Sequence, residues 1–174
     1  MASYMLQEKL NNINISSIVE VNDITDYLRK NNLDYSKSYE VSRIYLNEII
    51  KKYDSFRLFI DLHRDSAEKY VTTTEIDGKA CAKVMFVVGL ENPNYKENLN
   101  LTEKINNKIK EKYPTLTRGI MQKQGYGVNG VYNQDINSNV ILLELGGNNN
   151  NIEEVNNTLN ILANIIGEII NEKV

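Results

Sequence analysis

Three long stretches of the chain repeat apolar residues every three to four positions, and short apolar runs lie between them. From Ser38 to about Lys52, Val41, Ile44, Tyr45, Ile49 and Ile50 fall at helical spacing. A second helix is expected to open at Asn94-Tyr95 and run to about Tyr113, where Pro114 ends it. Its stripe is Leu99, Leu101, Ile105 and Ile109, with Lys104, Lys108, Lys110 and Glu111 on a solvated face. A third, from Ile152 to about Glu172, carries Val155, Leu159, Leu162, Ile166 and Ile169 on one side, and Glu153 and Glu154 in its first turn suit the helix dipole. SYMLQEKLNN predicts a short N-terminal helix. SSIVEV, Arg57–Leu62, EKYVTTTEID and KACAKVMFVVG predict strands, the last two joined as a hairpin by a turn at Gly78. VILLEL, Val140–Leu145, is a short apolar run of the kind found in a sheet covered on both faces. Alternating elements of this kind predict an α/β fold: a mostly parallel twisted sheet with helices on both faces, plus a β-hairpin.

Composition narrows the class without naming a function. A length of 174 residues, 41% apolar and 25% charged, with two prolines and no Ser/Gly-rich linker, suits one globular domain over residues 1–174. The net charge of −3 and the absence of a basic patch with interleaved aromatics argue against nucleic acid. Cys81 is alone, which excludes an internal disulfide and a Cys-rich zinc knuckle and suits a buried, inert thiol. MASYMLQEKLNN has no signal-peptide pattern, and no apolar run approaches the roughly 18 residues of a spanning helix. The chain as given reads as soluble, with room for an export signal upstream.

Two polar residues stand out against the strands. His63, the single histidine, follows the run FIDL, and period two places Asp61 and His63 on the same side of the strand. Imidazole ligates zinc, and a neighbouring carboxylate can orient its other nitrogen, yet a lone histidine is more often a hydrogen-bonded core group. Glu144 interrupts VILLEL. A carboxylate there carries a desolvation cost of several kcal/mol unless it is paired, metal-bound or protonated. It is either a general base beside a zinc-bound water or the partner of a cation such as Arg118 or Arg64, and the residues alone leave both open. One His and one Glu do not make a zinc site, which needs three protein ligands and an open position.

Six ordered segments carry a resemblance: IDLHRDS (60–66), TEIDGKACAKVMFVVG (74–89), NPNYKENL (92–99), YPTLTRGI (113–120), YNQDI (132–136) and LLELGGNNNNIEE (142–154). Together they resemble the catalytic domain of the stage II sporulation protein P family, over about residues 38–165 with a weaker likeness before that. This family is related to the zinc-dependent N-acetylmuramoyl-L-alanine amidases. The resemblance implies an amidase-like fold and a peptidoglycan hydrolase that cuts between N-acetylmuramic acid and L-alanine, with a second activity on peptide cross-links. It implies action during engulfment, outside the cytoplasm and facing the cell wall, behind a membrane anchor and beside stage II sporulation proteins D and M. Residue by residue it implies His63 as a zinc ligand and Glu144 as the catalytic glutamate. It implies substrate-contacting or supporting roles for Asp61, Arg64, Asp65, Asn133 and Gln134, and a tight turn at Gly146-Gly147.

The chain also departs from the pattern. In the family the first zinc ligand is a histidine at the end of an earlier strand, and the wider amidase group adds a glutamate. Here Met1 falls inside the first helix of that pattern, no second histidine follows, and Glu8 and Glu20 are poorly placed to substitute. The sequence therefore predicts an N-terminally incomplete domain with an incomplete zinc site. The alternative expectation is a non-catalytic peptidoglycan-binding or degenerate module.

Overall fold

VILLELGG forms the most buried strand of the molecule because seven of its eight residues are apolar or glycine and both faces of it are covered. The structure, a computed structural model, describes residues 1–172. Two compact units arise in it: one contains residues 1–18 and the chain from Leu58 onward, the other Val19–Arg57.

The first unit begins with helix α1 (Ala2–Asn12), whose Leu6 and Leu10 are buried. After Leu58 come β1 (Phe59–Asp65), the short α4 (Lys69–Thr72), β2 (Thr73–Ile76), β3 (Lys79–Ala82) and β4 (Val84–Gly89). Then follow α5 (Tyr95–Lys112), β5 (Thr117–Lys123), β6 (Val140–Gly147) and α6 (Ile152–Asn171). The second unit holds α2 (Ile24–Lys30), a 3-10 turn at Tyr35–Lys37, and α3 (Ser38–Lys52). Within it, Leu28 and Val41 are the buried apolar side chains, and the Tyr27 and Tyr45 rings meet edge to face at 6.1 Å.

Four strands form a sheet in the order β1-β6-β4-β5, and β2 pairs with β3 as a separate antiparallel hairpin. β1 runs parallel to β6 and β4 parallel to β5, while β4 and β6 are antiparallel. The sheet is thus mostly parallel, as the alternation of elements predicts. One of its faces presents Ile141, Leu143 and Leu145 of β6 and Val84 and Phe86 of β4 to a single apolar core. That core takes Leu101, Ile105 and Ile109 from α5 and Leu159, Leu162, Ile166 and Ile169 from α6, all selected by the helical periodicity, whereas Leu99 of the expected stripe is only half-buried and lies outside it. α6 starts on a capping box: Asn151 accepts from the Glu154 backbone N–H, and the Glu154 carboxylate accepts from that of Asn151. On the solvated side, Lys104, Lys108 and Lys112 of α5 pair with Glu168 of α6 and with Glu172, which caps its C-terminus.

Several sequence expectations are corrected. SSIVEV is not a strand; it alternates in exposure but no strand lies beside it, and the boundary between the two units falls within it. EKYVTTTEID starts as the helical turn α4 before becoming β2. KACAKVMFVVG is divided at Lys83 between the hairpin and the main sheet. β1 extends to Asp65, so His63 lies inside the strand, and Glu144 likewise has three strand residues after it. α2 and β5 carry too little apolar pattern to be read. Gly119 breaks the alternation in β5, and polar Arg118, Gln122 and Lys123 flank its apolar pair.

Candidate functional site

The register of the sheet builds the site. His63 on β1 is paired with Glu144 on β6, and Met85 on β4 faces Glu144 from the other side. Paired residues of neighbouring strands project to the same face, so the three side chains form a row across the sheet on the face opposite the core. Asp61 joins them by period two: the His63 Nε2 lies 2.9 Å from Asp61 Oδ1, with the imidazole N–H donating.

Two bulges shape the ends of this row. On β6 one extra residue enters between the pairs His63–Glu144 and Asp65–Gly147. Gly146 there has φ +64, and a Cβ on it would come within 2.7 Å of Asn150 Oδ1 and 2.9 Å of Ala82 Cβ. The close approach expected of Gly146 is therefore a bulge inside β6 rather than a turn after it. On β5 the pairs Val84–Thr117 and Phe86–Ile120 leave Arg118 and Gly119 together opposite Met85. Gly119 has φ +89, and such a bulge re-aims the side chain beside it. Arg118 reaches back over the sheet, with Nη2 donating to Asp65 Oδ2 and lying 3.1 Å from Met85 Sδ. Because β6 and β4 separate β1 from β5, the Arg118–Asp65 pair bridges the strand that carries Glu144.

Glu144 is half-buried, and its Oε2 is fully buried without a hydrogen-bond partner among the described residues. Burial pushes its carboxyl above the ordinary carboxylate range; His63 and Arg118 pull it back down, and Asp65 and Asp61 push it further up. His63 is also raised, chiefly by its hydrogen bond to Asp61, against burial and with help from the charge of Glu144. Glu144 and His63 are thus two titratable groups in register, each raised from its ordinary value by its surroundings.

The other sequence-selected residues divide. Arg64 points away from this row, and its guanidinium donates to the carbonyls of Gly147 and Asn150, both at 2.6 Å, pinning the segment that leaves β6. Asp65 accepts from the Ala67 backbone and from Arg118. Gln134 is fully buried; its carboxamide accepts from Gly89 N and donates to Val87 O. Gly89 is four residues along β4 from Met85, about 13 Å at strand rise, so Gln134 and the buried Asn133 beside it lie toward the other end of the sheet from Glu144. The resemblance placed these two near substrate; the geometry gives Gln134 the work of closing the end of β4. Sequence reasoning weighed Arg118 only as a partner for Glu144, and it missed Met85. The signal for Arg118 was its place in the segment YPTLTRGI.

Zinc is the metal the resemblance implies. Among the described residues, no group of three His, Cys, Asp or Glu side chains lies together in a way that could hold a metal ion. The chain has one imidazole, and its Nε2 is engaged by Asp61. A hydrolytic zinc ion takes three protein ligands, so the residues of this cluster do not complete such a centre.

Fold and cluster together define an α/β domain with a row of titratable side chains, Asp61, His63 and Glu144, on the face of its mostly parallel sheet opposite the core. A model of the stage II sporulation protein P family matches residues 2–167. The chain belongs to that family. The stage II sporulation protein P of Bacillus subtilis (strain 168) is 37% identical over 165 residues, which cover 95% of this chain and 41% of that relative. This chain therefore spans less than half the length of the relative. No solved structure gives a significant match, and no helix among the described residues is long and apolar enough to cross a membrane.

Proposed function

We propose that this domain is the acid–base core of a peptidoglycan hydrolase that acts in sporulation, on the amide between N-acetylmuramic acid and L-alanine. Membership of the stage II sporulation protein P family supports the role in sporulation. The single observation that carries the chemistry is Glu144, a half-buried carboxylate with an unpartnered Oε2 in register with His63. In this reading Glu144 takes a proton from water as its oxygen bonds to the amide carbon. It then hands that proton to the departing nitrogen as the C–N bond breaks, leaving the muramic carboxylate and the free amine of L-alanine. Asp61 holds the ring of His63 in one orientation. A zinc ion held through His63 and two ligands from outside this cluster would supply an activated water and a polarised carbonyl. The same reading takes in cleavage of stem-peptide cross-links, an extracytoplasmic, cell-wall-facing location, and partnership with stage II sporulation proteins D and M.

A second reading is favoured by one observation, the lack of three clustered metal ligands among the described residues. Here the domain binds peptidoglycan without cutting it. Zinc content and lysis of purified cell walls, measured on the chain and on His63→Ala and Glu144→Ala, separate the two. Stoichiometric zinc lost in His63→Ala, with lysis lost in both variants, is the result expected of the hydrolase. Walls bound equally by all three proteins, with neither zinc nor lysis, would establish the binding module instead.

A further inference from the structure

We propose that Arg118 is a substrate-facing hydrogen-bond donor, held in place by Asp65, that receives the carbonyl oxygen of the amide whose hydrolysis Glu144 assists; this rests on the function proposed above. Three observations carry it. The β5 bulge places Arg118 and Gly119 together opposite Met85, and Met85 is the direct neighbour of Glu144. The Arg118 side chain is 14% exposed and bridges from β5 to Asp65 on β1, across the strand that bears Glu144. Finally, the guanidinium has five N–H donors, and its contacts to Asp65 and Met85 use Nη2 alone. Nη1 and Nε are not among the buried atoms left unpartnered.

The charges around Arg118 favour a neutral acceptor. Asp65 already balances the guanidinium, and Glu144 and Asp61 add negative charge nearby. A carboxylate of the stem peptide would meet three acidic groups there, whereas an amide carbonyl meets a charge-assisted donor fixed in advance. Donors fixed where negative charge develops on a carbonyl oxygen are among the strongest contributors to acyl-transfer catalysis. Asp65 thus acts as a positioning residue for Arg118.

The test is binding, followed by NMR of the arginine side-chain N–H groups in the full chain. Two ligands are used: N-acetylmuramoyl-L-alanine amide, which has no carboxylate, and N-acetylmuramoyl-L-alanyl-D-isoglutamine, which has one. The expected result is that the Arg118 Nε–H resonance moves to saturation with both. Arg118→Met should then weaken both about tenfold, with Arg118→Lys between. If both ligands bind while that resonance stays still and Arg118→Met binds alike, Arg118 is only a strut and this inference is overturned, with the proposed function standing. A response to the carboxylate-bearing ligand alone overturns the carbonyl assignment in favour of a carboxylate clamp. No binding by the unmodified chain at any soluble concentration overturns the proposed function and this inference with it.

Discussion

Glu144 sets a pH dependence that can be read at a single residue. Its folded-state carboxyl is raised above the ordinary value of 4.5 by burial, so folding favours the protonated form. The stability this contributes is fully present below about pH 4.5 and is lost as pH rises through the higher folded value. Glu144→Gln removes the ionisable group and keeps the shape. It should raise the melting temperature at pH 7–8, with no gain near pH 4. Thermal melts of both proteins across that range check it, and equal melting temperatures at pH 8 would contradict it. Glu154 behaves in the opposite sense. Burial alone would raise it, but the bonds from Lys69, Asn150 and the Asn151 backbone outweigh burial and hold it below its ordinary value, so its contribution fades as pH falls. At this scale the sequence was a good guide to which polar residues share a face and a poor one to their partners across the sheet. His63, Asp61 and Glu144 were legible because period two and an interrupted apolar run are local signals. The Arg118–Asp65 pair was not, because it depends on which strands are neighbours and on a bulge that no periodicity announces.

Among the elements, α6 shows local and tertiary signals in agreement. Its apolar stripe is buried and its capping box closes the first turn. Asn151→Ala should lower stability by about 1 kcal/mol, and chemical denaturation should show it as a shifted midpoint with an unchanged slope. The elements that sequence reading missed or misplaced share a cause. A strand is stabilised by its neighbours rather than by its own residues. SSIVEV has the alternation and no neighbour, whereas TRGIMQK has little alternation and pairs along its length with β4. Likewise nothing within KACAKVMFVVG marks the point at which the chain leaves the hairpin for the main sheet; Lys83 becomes that point because its N–H bonds to Thr72 O and its carbonyl accepts from Gly146 N.

Across the whole molecule, burial is uneven. The unit with the sheet holds almost all of the core, while Val19–Arg57 has Leu28 and Val41 as its buried apolar side chains. Local opening is cheapest where few apolar contacts must be broken. Amide hydrogen exchange should therefore be faster in α2 and α3 than in β6 and α6, and equal protection of the two sets would contradict that. The mixed strand directions have a further effect. The C-terminal ends of β1 and β6 lie beside the N-terminal ends of β4 and β5, which is why a residue just after α5 can meet the end of β1.

The pairing of His63 with Glu144 joins positions 81 residues apart in the chain. During synthesis at about 5–20 residues per second, His63 leaves the ribosome roughly 4–16 s before its neighbour on the sheet is made. Over that interval β1 is a strand without a ladder and the site is half-written. The hairpin and α5 can form from what has already emerged, but the row of Asp61, His63 and Glu144 cannot close until β6 is inserted between β1 and β4. A chain stalled or cut before β6 therefore lacks Glu144 and the register that sets it beside His63.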